Sequence, residues 1–279
     1  MKCDEPHWLR NGDGFMTLTI QRITAWGYGV YCWSIFVLLV LSCGGLALLL
    51  NNPHQARRLL CFGARTLFRL VKWPIGVTGL ENLPPEPHIL LVNHTSFLDA
   101  IVLTALLPPV PGYAFTVRQQ LPIQRLFCPL LRSLGTIVFM GHRHRRDRRN
   151  VNVMASALRK GERLVVFPEG MFSRKEGLNP FHAGAFVAAQ RAKVPIVVAG
   201  LCGARAALPL GTWLPRRTKI TLNIGRVLHA ESANAADLAR LRQSAREEVA
   251  LLSDETLLQG ANTGNLIDPS TCMEASYVN

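Results

Sequence analysis

The heptapeptide Asn93-His94-Thr95-Ser96-Phe97-Leu98-Asp99 sets an imidazole and a carboxylate five residues apart. Inside one helix, residues five apart point to different faces, because helical neighbours are three or four apart. His94 and Asp99 can therefore meet only if His94 precedes a helix and swings over its first turn. Asp99 then accepts the proton on one ring nitrogen, and the other nitrogen serves as a base. An imidazole held in this way can take a proton from an attacking hydroxyl. The plain alternative is a surface histidine beside a carboxylate in a helix's first turn. A second candidate stretch is Pro168-Glu169-Gly170, where Pro168 and Gly170 demand a turn and bring backbone close to any bound group.

Both stretches follow runs that must position them. His88-Ile89-Leu90-Leu91-Val92 and Arg163-Leu164-Val165-Val166-Phe167 read as buried strands. After the first run, Thr95 and Ser96 can cap a helix, and Phe97, Leu98, Ile101, Val102 and Ala105 repeat at helical spacing. Two strands ending in polar loops suit a composite site on one edge of an open sheet. Strands are expected at 88–93, 113–117, 135–140, 163–167, 194–199 and 219–224. Helices are expected at 96–107, 122–133, 150–160, 182–192 and 236–252. The alternation is that of an α/β domain, a mixed sheet flanked by helices, over residues 74–252. Residues 253–279 lack periodicity and read as a flexible tail.

The chain has 279 residues, 49% of them hydrophobic, enough for one large domain with an anchor. A net charge of +13 calls for an anionic partner. Its seven cysteines (Cys3, Cys32, Cys43, Cys61, Cys128, Cys202 and Cys272) form no Cys-x-x-Cys pair, so neither a zinc site nor a disulfide framework is expected. No metal-ligand cluster and no Gly-x-Ser-x-Gly elbow occurs, which counts against metal-assisted hydrolysis and a serine esterase.

Residues 1–73 read as an N-terminal membrane anchor. Residues 1–25 are polar and suggest no structure. No charged residue occurs from Ala25 to Leu50, a run long enough for a membrane helix. The charged stretch before it is long and no small-x-small site follows, unlike a signal peptide. Residues 56–73 form an amphipathic helix with Arg57, Arg58, Arg65, Arg69 and Lys72 on one stripe, as on an anionic membrane surface. Spanning and single-leaflet insertion both remain open. Positive charge stays inside, so the rest of the chain is expected on the cytoplasmic face of the inner (plasma) membrane.

With these residues in place, the chain resembles the glycerolipid acyltransferase family, typified by 1-acylglycerol-3-phosphate acyltransferase. NHTSFLD and FPEG match the family's NHxxxxD and FPEG blocks, and the resemblance covers roughly residues 75–230. Val77 to Pro84 is similar to the family's entry to the first block, and Val194 to Val198 to its VPI-type block. The resemblance implies acyl transfer from acyl-CoA or acyl carrier protein to a lysolipid hydroxyl, without a cofactor or metal. It implies His94 and Asp99 as catalytic, with Glu169 and Gly170 binding the acceptor. Arg118 stands near a position where the family often carries a lysine. Arg143 is the arginine nearest the family's phosphate-binding stretch, here Leu134–Met140. Phe172 occupies the usual arginine position after FPEG, with Arg174 two residues on. That departure opens an alternative, acylation of another lysophospholipid or of a lyso-amino-lipid. Membrane lipids and the acyl carrier are the expected partners, and nucleic acid is not. A basic, membrane-anchored binding protein is the alternative of another class.

Overall fold

The computed structural model describes residues 11–50, 52–119, 129–140, 144–170, 176–230 and 234–258. Helix α1 (Asn11–Leu39) passes through a π-helical turn (Val40–Gly44) into α2 (Gly45–Leu48). It begins well before the apolar run, within a stretch expected to lack structure. No proline interrupts residues 11–24, so the helix extends backwards at little cost once the apolar run has nucleated it.

Helix α3 (Pro53–Leu70) starts as the sequence dictates, with Pro53 in its first turn and the Asn52 side chain accepting a hydrogen bond from the His54 N–H at 2.9 Å. Its basic stripe is not uniform. Arg58, Arg65, Arg69 and Lys72 are exposed, but Arg57 is buried. The Arg57 Nη2 lies 2.8 Å from Glu162 Oε2, and its Nε donates to the Leu134 carbonyl at 2.9 Å. Gly135 makes the room, since a Cβ there would lie 2.7 Å from Arg57 Nη2. Helical periodicity alone cannot reveal that one cation of five faces inward.

Among the described residues seven strands form one mixed sheet: β1 (Ile75–Thr78), β2 (Ile89–Val92), β3 (Ala114–Gln119), β4 (Ile137–Met140), β5 (Leu164–Val166), β6 (Ile196–Cys202) and β7 (Ile220–Leu228). Their order is β1-β7-β6-β2-β5-β3-β4. Every neighbouring pair is parallel except β6 with β7. Strand β1 was not expected, because four residues containing Gly76 give too short a pattern. The remaining helices are α4 (Asp99–Leu106), α5 (His144–Arg159), α6 (Gly184–Ala192), α7 (Ala204–Ala207) and α8 (Ala235–Ser253). Helix α5 opens on a basic stretch, His144-Arg145-Arg146-Asp147-Arg148-Arg149. The helix expected over 122–133 lies partly outside the described residues, and 129–133 are helical.

Side chains alternate across the central strands. Leu90, Val92, Val165 and Val197 join the core formed with α1, α3 and α4, while Ile89, Leu91, Leu164 and Val198 join that formed with α5, α6 and α8. Burial on both faces explains why these strands read as continuous apolar runs. Helix α8 reaches β6 only because Gly200 has no side chain, as a Cβ there would lie 2.3 Å from the Leu252 carbonyl carbon.

The first residues of the expected tail, 253–258, are bonded to the domain. Leu178 donates to Thr256 O at 2.7 Å, Leu258 donates to Leu178 O at 3.1 Å, and Glu255 pairs with Arg205 at 3.0 Å. Residues 259–279 lie outside the described residues.

On the sheet edge where β2 begins, His88 is fully buried, with Nδ1 2.8 Å from Glu86 O and Nε2 2.8 Å from the Tyr113 hydroxyl. A carbonyl can only accept, so Nδ1 carries the hydrogen and Nε2 accepts from Tyr113. Burial pushes the His88 pKa down. The unfolded chain then takes the proton more readily, and stability falls as pH drops below about 6.5. Replacement of His88 by Gln should flatten that loss in a denaturation series from pH 7.5 to 5.

Candidate active site

The loop after β2 is fixed before its histidine is reached. Asn93 is buried, and its side chain bonds both backbone groups of Leu201 on the neighbouring strand, donating to O at 3.0 Å and accepting from N at 2.7 Å. The chain then loops through 94–98, and α4 starts at Asp99 rather than at Ser96. Ser96 does not cap α4. Its hydroxyl donates to Leu208 O at 3.0 Å and accepts from Leu98 N at 3.3 Å.

The loop returns His94 over the start of α4, with its Nδ1 2.8 Å from Asp99 Oδ2. The same oxygen accepts the N–H groups of Thr95 at 2.7 Å and Ser96 at 3.0 Å. An oxygen already receiving two backbone donors carries no hydrogen of its own, so the hydrogen between ring and acid sits on Nδ1. Asp99 is fully buried, and its Oδ1 has no hydrogen-bond partner among the described residues. The N-terminal end of α4 adds its own preference for negative charge. Phe167 stacks on the imidazole, with ring centroids 4.0 Å apart and planes 16° off parallel.

Because β2 and β5 are parallel neighbours, the turn after β5 opens on the same sheet edge as the loop after β2. Glu169 there is buried, at 5% exposure. Its Oε1 accepts the His94 N–H at 2.9 Å, and its Oε2 accepts from Asn179 N at 2.9 Å and Asn179 Nδ2 at 3.0 Å. Burial raises the Glu169 pKa, and these hydrogen bonds pull it back. Sequence reasoning expected this carboxylate to receive acceptor hydroxyls. In the structure both of its oxygens already bind the protein's own donors, and it braces the His94 loop against the 176–181 segment. Gly170 adopts φ +77°, the left-handed turn expected of it.

Arg118 lies on β3, opposite Phe139 of β4, on a strand that also neighbours β5. Arg143 and Arg174 lie outside the described residues. Sequence reasoning missed the bracing behind the site. Arg246 of α8 donates from Nε to Asn179 O at 3.0 Å and from Nη2 to Leu178 O at 2.7 Å. No local pattern marks Asn179 or Arg246. Asn93 did carry a signal, since a polar side chain closing an apolar strand must find buried partners.

Residues 74–201 match a family described as Acyltransferase. The chain is 31% identical over 182 residues to the 1-acyl-sn-glycerol-3-phosphate acyltransferase of Saccharomyces cerevisiae, a match covering 60% of this chain and 58% of that one. It is 30% identical over 204 residues to the enzyme of that name from Limnanthes douglasii, covering 68% and 69% of the two chains. It is 27% identical over 199 residues to that of Neisseria gonorrhoeae, covering 65% and 76%. The chain thus spans between about three fifths and three quarters of the length of these relatives. The crystal structure of the 1-acyl-sn-glycerophosphate acyltransferase from Thermotoga maritima has the same fold, with a TM-score of 0.65 at 20% identity over 83% of this chain and 97% of that one.

Proposed function

The chain belongs to the glycerolipid acyltransferase family, and from that premise we propose that it transfers an acyl chain from acyl-CoA or acyl carrier protein to the hydroxyl of 1-acylglycerol 3-phosphate, giving phosphatidate. The observation that carries this reading is the 2.8 Å contact between His94 and a buried Asp99 at the sheet edge shared with Glu169. His94 Nε2 takes the hydroxyl proton while the oxygen attacks the thioester carbonyl carbon. The tetrahedral oxyanion collapses, the C–S bond breaks, and the thiolate takes the proton back from the imidazolium. Asp99 stabilises the imidazolium between these steps. No covalent acyl-enzyme is required.

Arg118, Arg143 and Arg174 are the cations proposed to meet the phosphates of acceptor or donor, since guanidinium groups suit phosphate oxygens. The helical stretch Arg22–Leu48, 27 residues whose most apolar part reaches a mean hydropathy of 2.1 and is mostly not buried, is long and apolar enough to cross a membrane. We place it in the bilayer, with the sheet on the cytoplasmic side of the inner membrane. A second reading, another lysolipid acceptor, is favoured by Phe172 at the family's usual arginine position.

The deciding assay is release of free thiol from acyl-CoA, or from acylated carrier protein, on addition of 1-acylglycerol 3-phosphate. Release only with a different lysolipid would select the second reading. Absence of release with every lysolipid, together with salt-sensitive DNA binding, would leave a basic binding protein. The bracing of Glu169 is testable in the same assay. Asn179→Ala strips the side-chain donor from a buried carboxylate oxygen while leaving the backbone N–H in place, and turnover should fall severalfold. The effect should lie in kcat rather than KM if Glu169 acts through the His94 loop.

A further inference from the structure

Loop 208–219 links the membrane helix to the catalytic loop. Its neck is closed by the Arg216 N–H donating to Ala207 O at 2.7 Å, and Leu208 O receives the hydroxyl of Ser96, two residues after His94. Its outer part lies along α1. Trp213 and Trp26 meet edge to face with ring centroids 4.7 Å apart, and Trp33 Nε1 donates to Trp213 O at 2.6 Å. Gly29 leaves space for the loop, since a Cβ there would lie 2.9 Å from Leu214 Cδ2. Trp26 and Trp213 remain half exposed despite their contact, and Arg216, Arg217 and Lys219 beside them are exposed. None of these three cations forms an ion pair among the described residues.

Half-exposed tryptophans on an apolar helix, followed by solvent-facing cations, match the chemistry of a bilayer interface. Indole rings settle at headgroup level, and lysine and arginine gain from anionic lipid phosphates. We propose that loop 208–219 is a second membrane contact, in which Trp213 lies at the interface and Arg216, Arg217 and Lys219 bind anionic headgroups. Through Leu208 and Ser96, this contact holds the mouth of the catalytic site at the plane where a lysolipid presents its hydroxyl. The inference rests on the placement of α1 in the bilayer given above, and not on which lysolipid is acylated.

Two measurements on the full chain test it. The first is hydrogen exchange of the amides in 210–219, in bilayer discs of phosphatidylcholine alone and of phosphatidylcholine with 30% phosphatidylglycerol. Exchange should slow severalfold in the anionic discs, and high salt should remove the difference. Equal rates in the two discs would overturn the proposal. The second uses the triple variant Arg216→Glu, Arg217→Glu, Lys219→Glu. Its turnover on anionic bilayers should fall about tenfold or more. With a short-chain lysolipid dissolved as monomers in neutral detergent it should stay within about twofold of the unaltered chain. Undiminished turnover on the bilayers would also overturn the proposal. If the unaltered chain releases no thiol with any acceptor, the acyltransferase reading fails, and the exchange experiment still decides the membrane contact.

Discussion

His94→Ala should abolish the proposed acyl transfer, with turnover falling on the order of a thousandfold or more, while the protein should keep its fold and its melting temperature. The loss would follow from removing the group proposed to take the hydroxyl proton, a role worth roughly 10²–10⁴-fold in rate. The fold survives because the bracing bond from residue 94 to Glu169 is made by the backbone N–H. The ring itself lies at the site's surface with 18% exposure, so its loss leaves no deep cavity. Thiol release measured beside a thermal melt separates the two effects. Near-normal turnover in this variant would remove His94 from the reaction.

Asp99→Asn should cost less, roughly 10²–10³-fold, and should cost some stability too. The amide oxygen can still receive the N–H groups of Thr95 and Ser96, so the loop is kept. The negative charge opposite the imidazolium is lost, and the pair no longer stabilises the charged ring in the transition state. The new NH₂ lands where Oδ1 stands, a buried position with no hydrogen-bond partner among the described residues. An unsatisfied buried donor costs about 1–3 kcal/mol. Turnover and melting temperature should therefore both drop, whereas His94→Ala moves only the first. Equal activity in Asp99→Asn would exclude the acid from the mechanism.

The difference between these variants marks how far the sequence could be read. The five-residue interval between His94 and Asp99 admits one geometry, a ring set ahead of a helix and turned back over it, and the structure has that geometry. The central strands were legible because burial on both faces leaves them unbroken apolar runs. The edge strand β1 was not, since four residues with a glycine carry no pattern. Arg57 shows the same limit on a helix. Periodicity places it among the exposed cations, while Glu162, over a hundred residues later, turns it inward. The two acyltransferase blocks announced which residues would gather at the site, but not what Glu169 would touch. Its bonds to His94 and Asn179 depend on the parallel pairing of β2 with β5, which no local pattern records.

The brace from Arg246 has a consequence in time. Asn179 leaves the ribosome 67 residues before the arginine that grips its carbonyl. The nascent protein therefore carries both acyltransferase blocks, and the apolar helix proposed to enter lipid, before α8 can brace the site. Bracing of the site therefore waits for α8, the last of the described helices, to dock.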